Sequence, residues 1–278
     1  MSLTPGIHHN IPEQVYRDDP ALSKSDLDRF VSPDKKLQRS AAIVGSALHC
    51  LLLEGPEASA ERFITAPDHF VLNRNADKHE DGKLVARGKL WFAEFCEQHP
   101  GKAVMTPGDR ELVGEMYAAV KADERAMKFL SATGENEVSV VGTIDKFKTL
   151  CKCRIDAVRK GCLVDVKTTS CLDKAMFLDA IPKYGYATQA AFYADLYASV
   201  TDTEPMPFVH LCVAKKPENG SYSVWVEPLN AEQMAFGRKH YRDLLALYER
   251  FGAIDAVAKT FDAKPTKIKP KEAEHANV

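Results

Sequence analysis

Long hydrophobic runs are missing from this sequence of 278 residues: no stretch approaches the roughly 18 consecutive apolar residues that a membrane-spanning helix needs. The N-terminal residues also lack the basic segment followed by an apolar segment that marks a secretory signal. We therefore expect no membrane association and a cytoplasmic location.

An excess of charge of either sign is also absent. Lysine and arginine together number 37, aspartate and glutamate 39, and the formal net charge is −2. This balance excludes a protein coated in positive charge, such as a histone-like DNA-binding protein. It still permits a local basic surface, which can attract a polyanion to a protein of near-neutral overall charge.

Cysteine pairs spaced as C-x2-C, which are typical of structural zinc and iron–sulfur sites, do not occur. The cysteines number seven, and four of them lie between positions 151 and 171 with one, eight and eight residues between neighbours. This spacing suits a metal cluster poorly, and the odd total argues against a disulfide framework. Cys151 and Cys153 alternate along a predicted strand, so we interpret them as side chains of the core.

The order of predicted elements indicates the fold class. Helices are followed by three strands, further helices, two strands and a last helix, which predicts one α/β domain over residues 1–261 with a central mixed sheet flanked by helices. Its helical N-terminal part covers about 10–60, the sheet with its helices covers 134–252, and the Lys/Pro-rich tail 262–278 is predicted to be disordered.

The apolar patterns also give approximate bounds for each element. The predicted helices are 22–30, 38–54, 87–98, 108–132, 171–180, 186–200 and 230–251. The predicted strands are 137–145, 147–158, 162–169, 207–216 and 222–229, and a charged loop covers 66–88.

Three charged residues on two neighbouring predicted strands carry the chemical argument. Asp165 and Lys167 alternate with valines and therefore face the same side of their strand, and a tight turn brings Asp156 of the preceding strand beside them. Two carboxylates this close repel each other unless a cation lies between them. Mg²⁺ suits such a pair, and a neighbouring lysine can hold water for attack on phosphorus. The pattern therefore points to metal-assisted hydrolysis of phosphodiesters, although Asp-x-Lys is also a common cross-strand ion pair on a solvated face.

Other residues carry two interpretations each. His49 lies on an otherwise apolar helix, where a histidine is usually a satisfied core residue. Glu137 opens the first predicted strand and either faces the same cleft or is a surface carboxylate. Gln189 and Tyr193 lie four residues apart on one helix face, where they either contact nucleic acid or pack an aromatic stripe against the sheet.

The order of these motifs resembles the PD-(D/E)XK nuclease superfamily. Its motifs G-x-x-x-H, D, D-x-K and Q-x-x-x-Y match Gly45 to His49, Asp156, Asp165 to Lys167, and Gln189 to Tyr193. The most similar branch is the RecE-type exodeoxyribonuclease VIII of phage and prophage recombination, a relative of the RecB nuclease domain and of lambda exonuclease. The resemblance covers about residues 10–252, and it includes an aspartate at 165 where many members have glutamate.

The resemblance implies a role for each matched residue. Asp156, Asp165, His49 and the backbone carbonyl of Val166 would bind Mg²⁺, with Mn²⁺ as an alternative because imidazole suits that ion better. Lys167 would position the attacking water, and Glu137 would participate from further out. The residues that would contact DNA are Gln189, Tyr193, Thr168, Thr169 and Ser170, together with Arg39, Ser23 and Lys24.

The same resemblance implies an activity and partners. Members of this branch degrade linear double-stranded DNA from 5′ ends, leave 3′ single strands for a single-strand annealing protein, and form homo-oligomeric rings around DNA in bacterial or phage-infected cells. We expect a tetramer, with a trimer as the alternative. Two other functions stay open: another nuclease of this fold, either an endonuclease or a single-strand-specific exonuclease, and a non-catalytic DNA-binding or assembly protein.

Overall fold

The computed structural model describes residues 2–31, 39–67 and 86–251. A six-stranded sheet lies at its centre, and the α/β class with a mixed sheet and flanking helices is confirmed. The strands are, in chain order, β1 Gly6–His8, β2 Phe63–Thr65, β3 Ala103–Met105, β4 Gly134–Gly142, β5 Cys151–Arg159, β6 Cys162–Thr169, β7 Phe208–Ala214 and β8 Val224–Pro228. The helices are α1 Glu13–Asp18, α2 Lys24–Val31, α3 Arg39–Leu53, α4 Pro56–Arg62, α5 Ala86–Gln98, α6 Pro107–Ala122, α7 Glu124–Ser131, α8 Lys174–Tyr184, α9 Tyr186–Thr201 and α10 Ala231–Phe251.

The central sheet has the order β1-β4-β5-β6-β7-β8. Neighbouring strands are antiparallel except β6 and β7, which are parallel and are joined through α8 and α9. Such a parallel pair needs a crossover connection, and helices supply it here. The strands β2 and β3 form a separate two-stranded parallel sheet.

Both faces of the central sheet are covered. One hydrophobic cluster joins the sheet to α8, α9 and α10, and it includes Leu163 of β6. The other joins the sheet to α3, α6 and α7, and it includes Val164 and Val166 of the same strand. Because side chains alternate along a strand, Asp165 and Lys167 therefore lie on the α9 side of the sheet.

The N-terminal segment is attached to the open edge of β4 and β5. The strand β1 pairs with β4, and the amino group of Lys152 on β5 donates to the backbone carbonyls of Tyr16, Arg17 and Asp19. These three carbonyls lie at the C-terminus of α1, where a positive charge interacts favourably with the helix dipole and with carbonyls that have no partner within the helix. The segment thereby becomes one wall of a cleft.

Several predicted boundaries need correction. The single helix predicted over 108–132 is two helices, because Asp123 accepts a hydrogen bond from Ala126 N and begins a second helix there. The short strands β1, β2 and β3 were not predicted, since three residues are too few to show an alternating pattern. Residues 86–88 of the predicted loop belong to α5, whereas 68–85 and the predicted tail 262–278 lie outside the described residues.

None of the helices in the described ranges is both long and apolar enough to cross a membrane.

Gly237 marks the closest approach of two helices. A Cβ on this residue of α10 would lie 2.0 Å from the backbone oxygen of Ala187 on α9, so the two helices pack backbone against backbone. We expect Gly237→Ala to lower the free energy of unfolding by about 1–3 kcal/mol, the usual cost of overpacking. Urea denaturation measures this change.

Gly114 of α6 provides the matched control, because a Cβ there would have no atom within 4 Å. Gly114→Ala should stabilise the protein by up to about 1 kcal/mol, since alanine has the higher helix propensity. Equal effects of the two substitutions would contradict the close packing of α9 on α10.

Candidate functional site

A cleft of about 590 Å³ opens between the N-terminal segment, α3 and the strands β4 and β5. Its lining combines acidic, basic and imidazole side chains, and His49, Glu137 and Asp156 lie within it. The basic side chains that line it are Arg17, Lys24, Arg29, Arg62, Lys152 and Arg154. Although the net charge of the protein is −2, basic side chains are concentrated around one acidic cluster in this cleft.

His49 reaches the cleft because α3 lies close to the sheet. Ala47 and Leu48 of this helix are fully buried, and they pack in the cluster that includes Val164 and Val166. A Cβ on Gly45 would lie 3.3 Å from Oγ1 of Thr168, so an alanine there requires the threonine side chain to shift slightly. The glycine of the motif, four residues before the histidine, therefore lies where α3 packs closely on β6.

His49, Glu137 and Asp156 form a group that fits a metal ion. One ligand atom from each lies within 4.8 Å of the others. Two carboxylates and one imidazole are a donor set that suits Mn²⁺ and accommodates Mg²⁺. Oxygen atoms of water and phosphate would fill the remaining coordination positions of either ion. The structure thus places Glu137 beside two of the predicted metal ligands, nearer than the outer position that the resemblance implies.

The backbone is irregular where these carboxylates lie. Glu137 has φ +52°, a conformation that is costly for a residue with a Cβ. Opposite it, the side-chain alternation of β5 breaks at Asp156: Ile155 packs in the cluster with α9, whereas Ala157 packs in the cluster with α3. In a regular strand the side chains of Ile155 and Ala157 would lie on the same face of the sheet. The irregularity therefore places the Asp156 carboxylate at the boundary between the α9 side and the α3 side of the sheet.

Asp156 contacts both neighbouring elements from that position. The pairing of β5 with β6 ends at Ala157 and Val164, and beyond it the Oδ2 atom of Asp156 accepts a 2.7 Å hydrogen bond from Val166 N. The same atom lies 3.3 Å from Nδ1 of His49. A single carboxylate therefore satisfies a buried backbone donor and faces the imidazole.

Opposing charges shift the pKa values in this group. Burial lowers the pKa of His49, but the Asp156 carboxylate outweighs it and raises the value to about 9. Burial, reinforced by repulsion from Asp156, raises the pKa of Glu137 to about 7. Without a metal, the site therefore holds a cationic imidazole and a partly protonated carboxyl at neutral pH.

Asp165, Lys167 and Gln189 form a closed ring of contacts beside the metal group. The amino group of Lys167 lies 2.8 Å from Oδ2 of Asp165 and donates to Oε1 of Gln189 at 3.0 Å. Gln189 Nε2 donates to Oδ1 of Asp165 at 2.9 Å. The structure thus brings these three predicted residues together, but Asp165 is not a member of the close group of His49, Glu137 and Asp156. Its role as a metal ligand stays a prediction.

The opposite charges in this ring shift the pKa values of both charged groups. Burial raises the pKa of Asp165, but Lys167 and a hydrogen bond from His210 outweigh it and hold the value well below the usual range. Burial lowers the pKa of Lys167, yet Asp165 and Asp156 outweigh burial and raise the value. Lys167 is therefore an ammonium ion at neutral pH, suited to stabilise negative charge and to hold a water.

The other predicted residues are distributed around this centre. Val166 donates its N–H to Asp156, and the side chains of Tyr193, Ser23 and Lys24 line the cleft. Ser23 also accepts a hydrogen bond from Asp26 N as the N-cap of α2, and Lys24 pairs with Asp28. Thr168 faces Gly45, and the hydroxyl of Thr169 accepts a hydrogen bond from Cys171 N. Ser170 is exposed. Arg39 begins α3, but its side chain lies outside the described residues.

Two residues at the site were missed by sequence reasoning. Arg154 lies 3.7 Å from Glu137 Oε2 and also donates to Ile11 O and to Ser139 Oγ, so it joins the carboxylate to the N-terminal segment. His210 lies 3.2 Å from Oδ2 of Asp165. Arg154 precedes Asp156 by two residues, which was a usable signal, whereas the position of His210 depends on the β6–β7 register.

The mixed sheet and the convergence of carboxylate, imidazole and ammonium groups define a PD-(D/E)XK-like domain. The chain belongs to the family described as "PDDEXK-like domain of unknown function (DUF3799)", whose match covers residues 31–255.

One solved structure shares this fold, and two others match it more weakly. A protein from Eubacterium rectale that is described as a candidate exonuclease matches with a TM-score of 0.53 and 15% identity, over 86% of each chain. The protein SSO0001 matches with a TM-score of 0.28 and 16% identity over 80% of this chain and 96% of its own. Candida albicans Rai1, solved with pU5 and Mn²⁺, matches with a TM-score of 0.27 and 14% identity over 83% and 67% of the two chains. No curated protein matches significantly.

Proton release should accompany metal binding. A metal ion binds deprotonated ligands, so at pH 7 it must displace the proton of His49 and part of that on Glu137, whose pKa values are about 9 and about 7. We expect about one to two protons released per Mn²⁺, and an affinity that rises with pH up to about 9. Calorimetric titration in two buffers of different ionisation enthalpy measures the proton count.

His49→Asn should reduce that count by about one, because the substituted side chain carries no proton to displace. An affinity that is independent of pH between 6 and 9 would contradict the assignment of these ligands.

Proposed function

We propose that this protein is a metal-dependent exodeoxyribonuclease that degrades linear double-stranded DNA in the 5′→3′ direction. The observation that carries the proposal is the meeting of His49, Glu137 and Asp156 in the cleft, with Lys167 close enough for its charge to act on His49 and Asp156. Phosphodiester hydrolysis needs a hard divalent cation, a positioned water and a compensating positive charge, and this arrangement provides a group for each.

The proposed reaction assigns a task to each side chain. His49, Glu137 and Asp156 would hold Mg²⁺ or Mn²⁺, with Asp165 and the Val166 carbonyl as the further proposed ligands. When bound, the cation supplies Lewis-acid polarisation of the phosphate and activation of water. Lys167 keeps its proton, so it orients the water and stabilises the developing negative charge instead of acting as a base.

The cleft offers a surface for a nucleic acid strand. Arg17 and Arg29 contribute exposed positive charge along it, and Tyr193 lies in its wall. Phosphate contacts of this kind position a duplex without reading its bases, so we expect no sequence preference. Gln189, Thr168, Thr169 and Ser23 are the further proposed DNA contacts.

The finer parts of the proposal rest on the motif resemblance to RecE-type enzymes. They are the 5′→3′ polarity, the 3′ single strands left for an annealing protein, and a homo-oligomeric ring. The Eubacterium rectale protein that shares the fold is described as a candidate exonuclease, which agrees with the proposed activity.

DNA topology should decide whether the protein cuts. In Mg²⁺ we expect loss of linear duplex DNA and no change in closed circular duplex, because an exonuclease needs an end. Gel electrophoresis of both substrates measures this, and linear DNA labelled at its 5′ ends should release the label first. Nicked circles would indicate an endonuclease. Degradation of single-stranded DNA alone would indicate a single-strand-specific exonuclease, and binding of DNA without cleavage would indicate a non-catalytic protein.

Lys167→Ala should lower kcat by at least about 100-fold, since it removes a charge that faces the developing negative charge. DNA binding, measured by fluorescence anisotropy in Ca²⁺, should remain largely unchanged. The matched control is Lys160→Ala, which removes an exposed lysine in the turn between β5 and β6 and should leave kcat unaltered. Normal cleavage by the Lys167 variant would show that this residue has another role.

A further inference from the structure

A histidine lies buried behind the candidate metal centre. His210 of β7 has no exposed surface, and it is the register partner of Asp165 on the parallel strand β6. Its Nδ1 atom lies 3.2 Å from Oδ2 of Asp165. The rings of Phe177, Tyr186 and Phe208 surround it, with centroids 5.7, 5.6 and 5.3 Å from that of the imidazole.

The hydrogen bond defines the tautomer of His210. An ionised carboxylate only accepts, so Nδ1 must carry the hydrogen that it donates to Asp165. The other ring nitrogen, Nε2, is buried and has no hydrogen-bond partner within the part of the chain that the structure describes. The hydrogen bond to Asp165 is therefore the polar contact that His210 makes within the described residues, and it orients one oxygen of that carboxylate.

The contact restrains Asp165 in a way that the other contacts do not. Gln189 holds Oδ1, whereas Oδ2 is shared between Lys167 and His210. Lys167 has a flexible stem, and in the proposed reaction its amino group must also serve the water. His210 is instead held by its strand and by aromatic rings on several sides. It is the rigid donor of the three.

We propose that His210 is a positioning residue that fixes the carboxylate of Asp165, and that it thereby sets the affinity of the site for a divalent cation. This inference rests on the proposed function, because it assigns Asp165 to the metal. Groups that orient a metal ligand in this way contribute about 10–100-fold to metal affinity.

Two substitutions separate positioning from packing. His210→Asn retains an N–H donor near the place of Nδ1, whereas His210→Leu retains a similar volume and donates nothing. We expect His210→Leu to weaken Mn²⁺ binding about 10–100-fold, and His210→Asn to stay within about threefold of the unsubstituted protein. Isothermal titration calorimetry on the full chain without DNA measures the affinity, and Tm from circular dichroism measures folding.

Leu211→Ala is the matched control for disturbance of the strand. Leu211 neighbours His210 on β7 and is fully buried in the cluster on the opposite face of the sheet. This variant should lower Tm through the cavity it creates while leaving Mn²⁺ affinity unchanged.

The outcomes separate this inference from the proposed nuclease activity. Unchanged Mn²⁺ affinity in His210→Leu, or an equal loss in His210→Asn, would overturn the positioning role. A protein that binds Mn²⁺, shows the expected difference between the two variants and cuts no DNA would support the role of His210 and refute the nuclease proposal. A protein that binds no Mn²⁺ would overturn both.

Discussion

The carboxylate of Asp156 is the point on which the arrangement of the site depends. It accepts a hydrogen bond from Val166 N where the pairing of β5 with β6 has ended, and it faces His49 across 3.3 Å. One side chain thereby joins two strands and a helix of the opposite layer. It can do so because the strand alternation breaks at this residue and because Glu137 beside it has a positive φ. Backbone irregularity at such a position is typical of functional sites, where the surrounding fold maintains a costly conformation.

Charge concentration is the second property of the site. Asp156, Asp165 and Glu137 lie near one another in a partly buried region, and Lys167, His49 and Arg154 balance them. Burial, reinforced by repulsion from Asp156, raises the pKa of Glu137 to about 7, so this carboxyl is partly protonated at neutral pH when no metal is bound. A divalent cation would relieve this repulsion more effectively than protonation, because it places two charges between the carboxylates. The surrounding helices maintain the arrangement: Arg238 of α10 makes two hydrogen bonds to Asp195 of α9 and so holds the helix that carries Gln189.

Much of the fold followed from periodicity. The five longer strands and the helices α3, α9 and α10 were predicted within a few residues, because each is long enough to show its pattern of apolar residues. The three-residue strands β1, β2 and β3 were not, and the division between α6 and α7 depends on a single capping aspartate. For the site, the adjacency of Asp165 and Lys167 follows from strand alternation alone. The close approach of Glu137 does not, because a regular strand would not place it there.

The amino-acid order by itself determined which chemical groups this protein has and the spacing that places Asp165 beside Lys167 and Gln189 four residues before Tyr193. It also determined the α/β class, since apolar periodicity is a local property that neighbouring residues define. The motif resemblance had grouped His49 with Asp156, whereas only the tertiary structure decided that Glu137 joins them and that His210 lies behind Asp165. These contacts join residues from 19 to 107 positions apart, and their geometry depends on strand register, a broken alternation and the close packing of α3 on the sheet. Such long-range packing is a property of the whole chain, which no local pattern encodes.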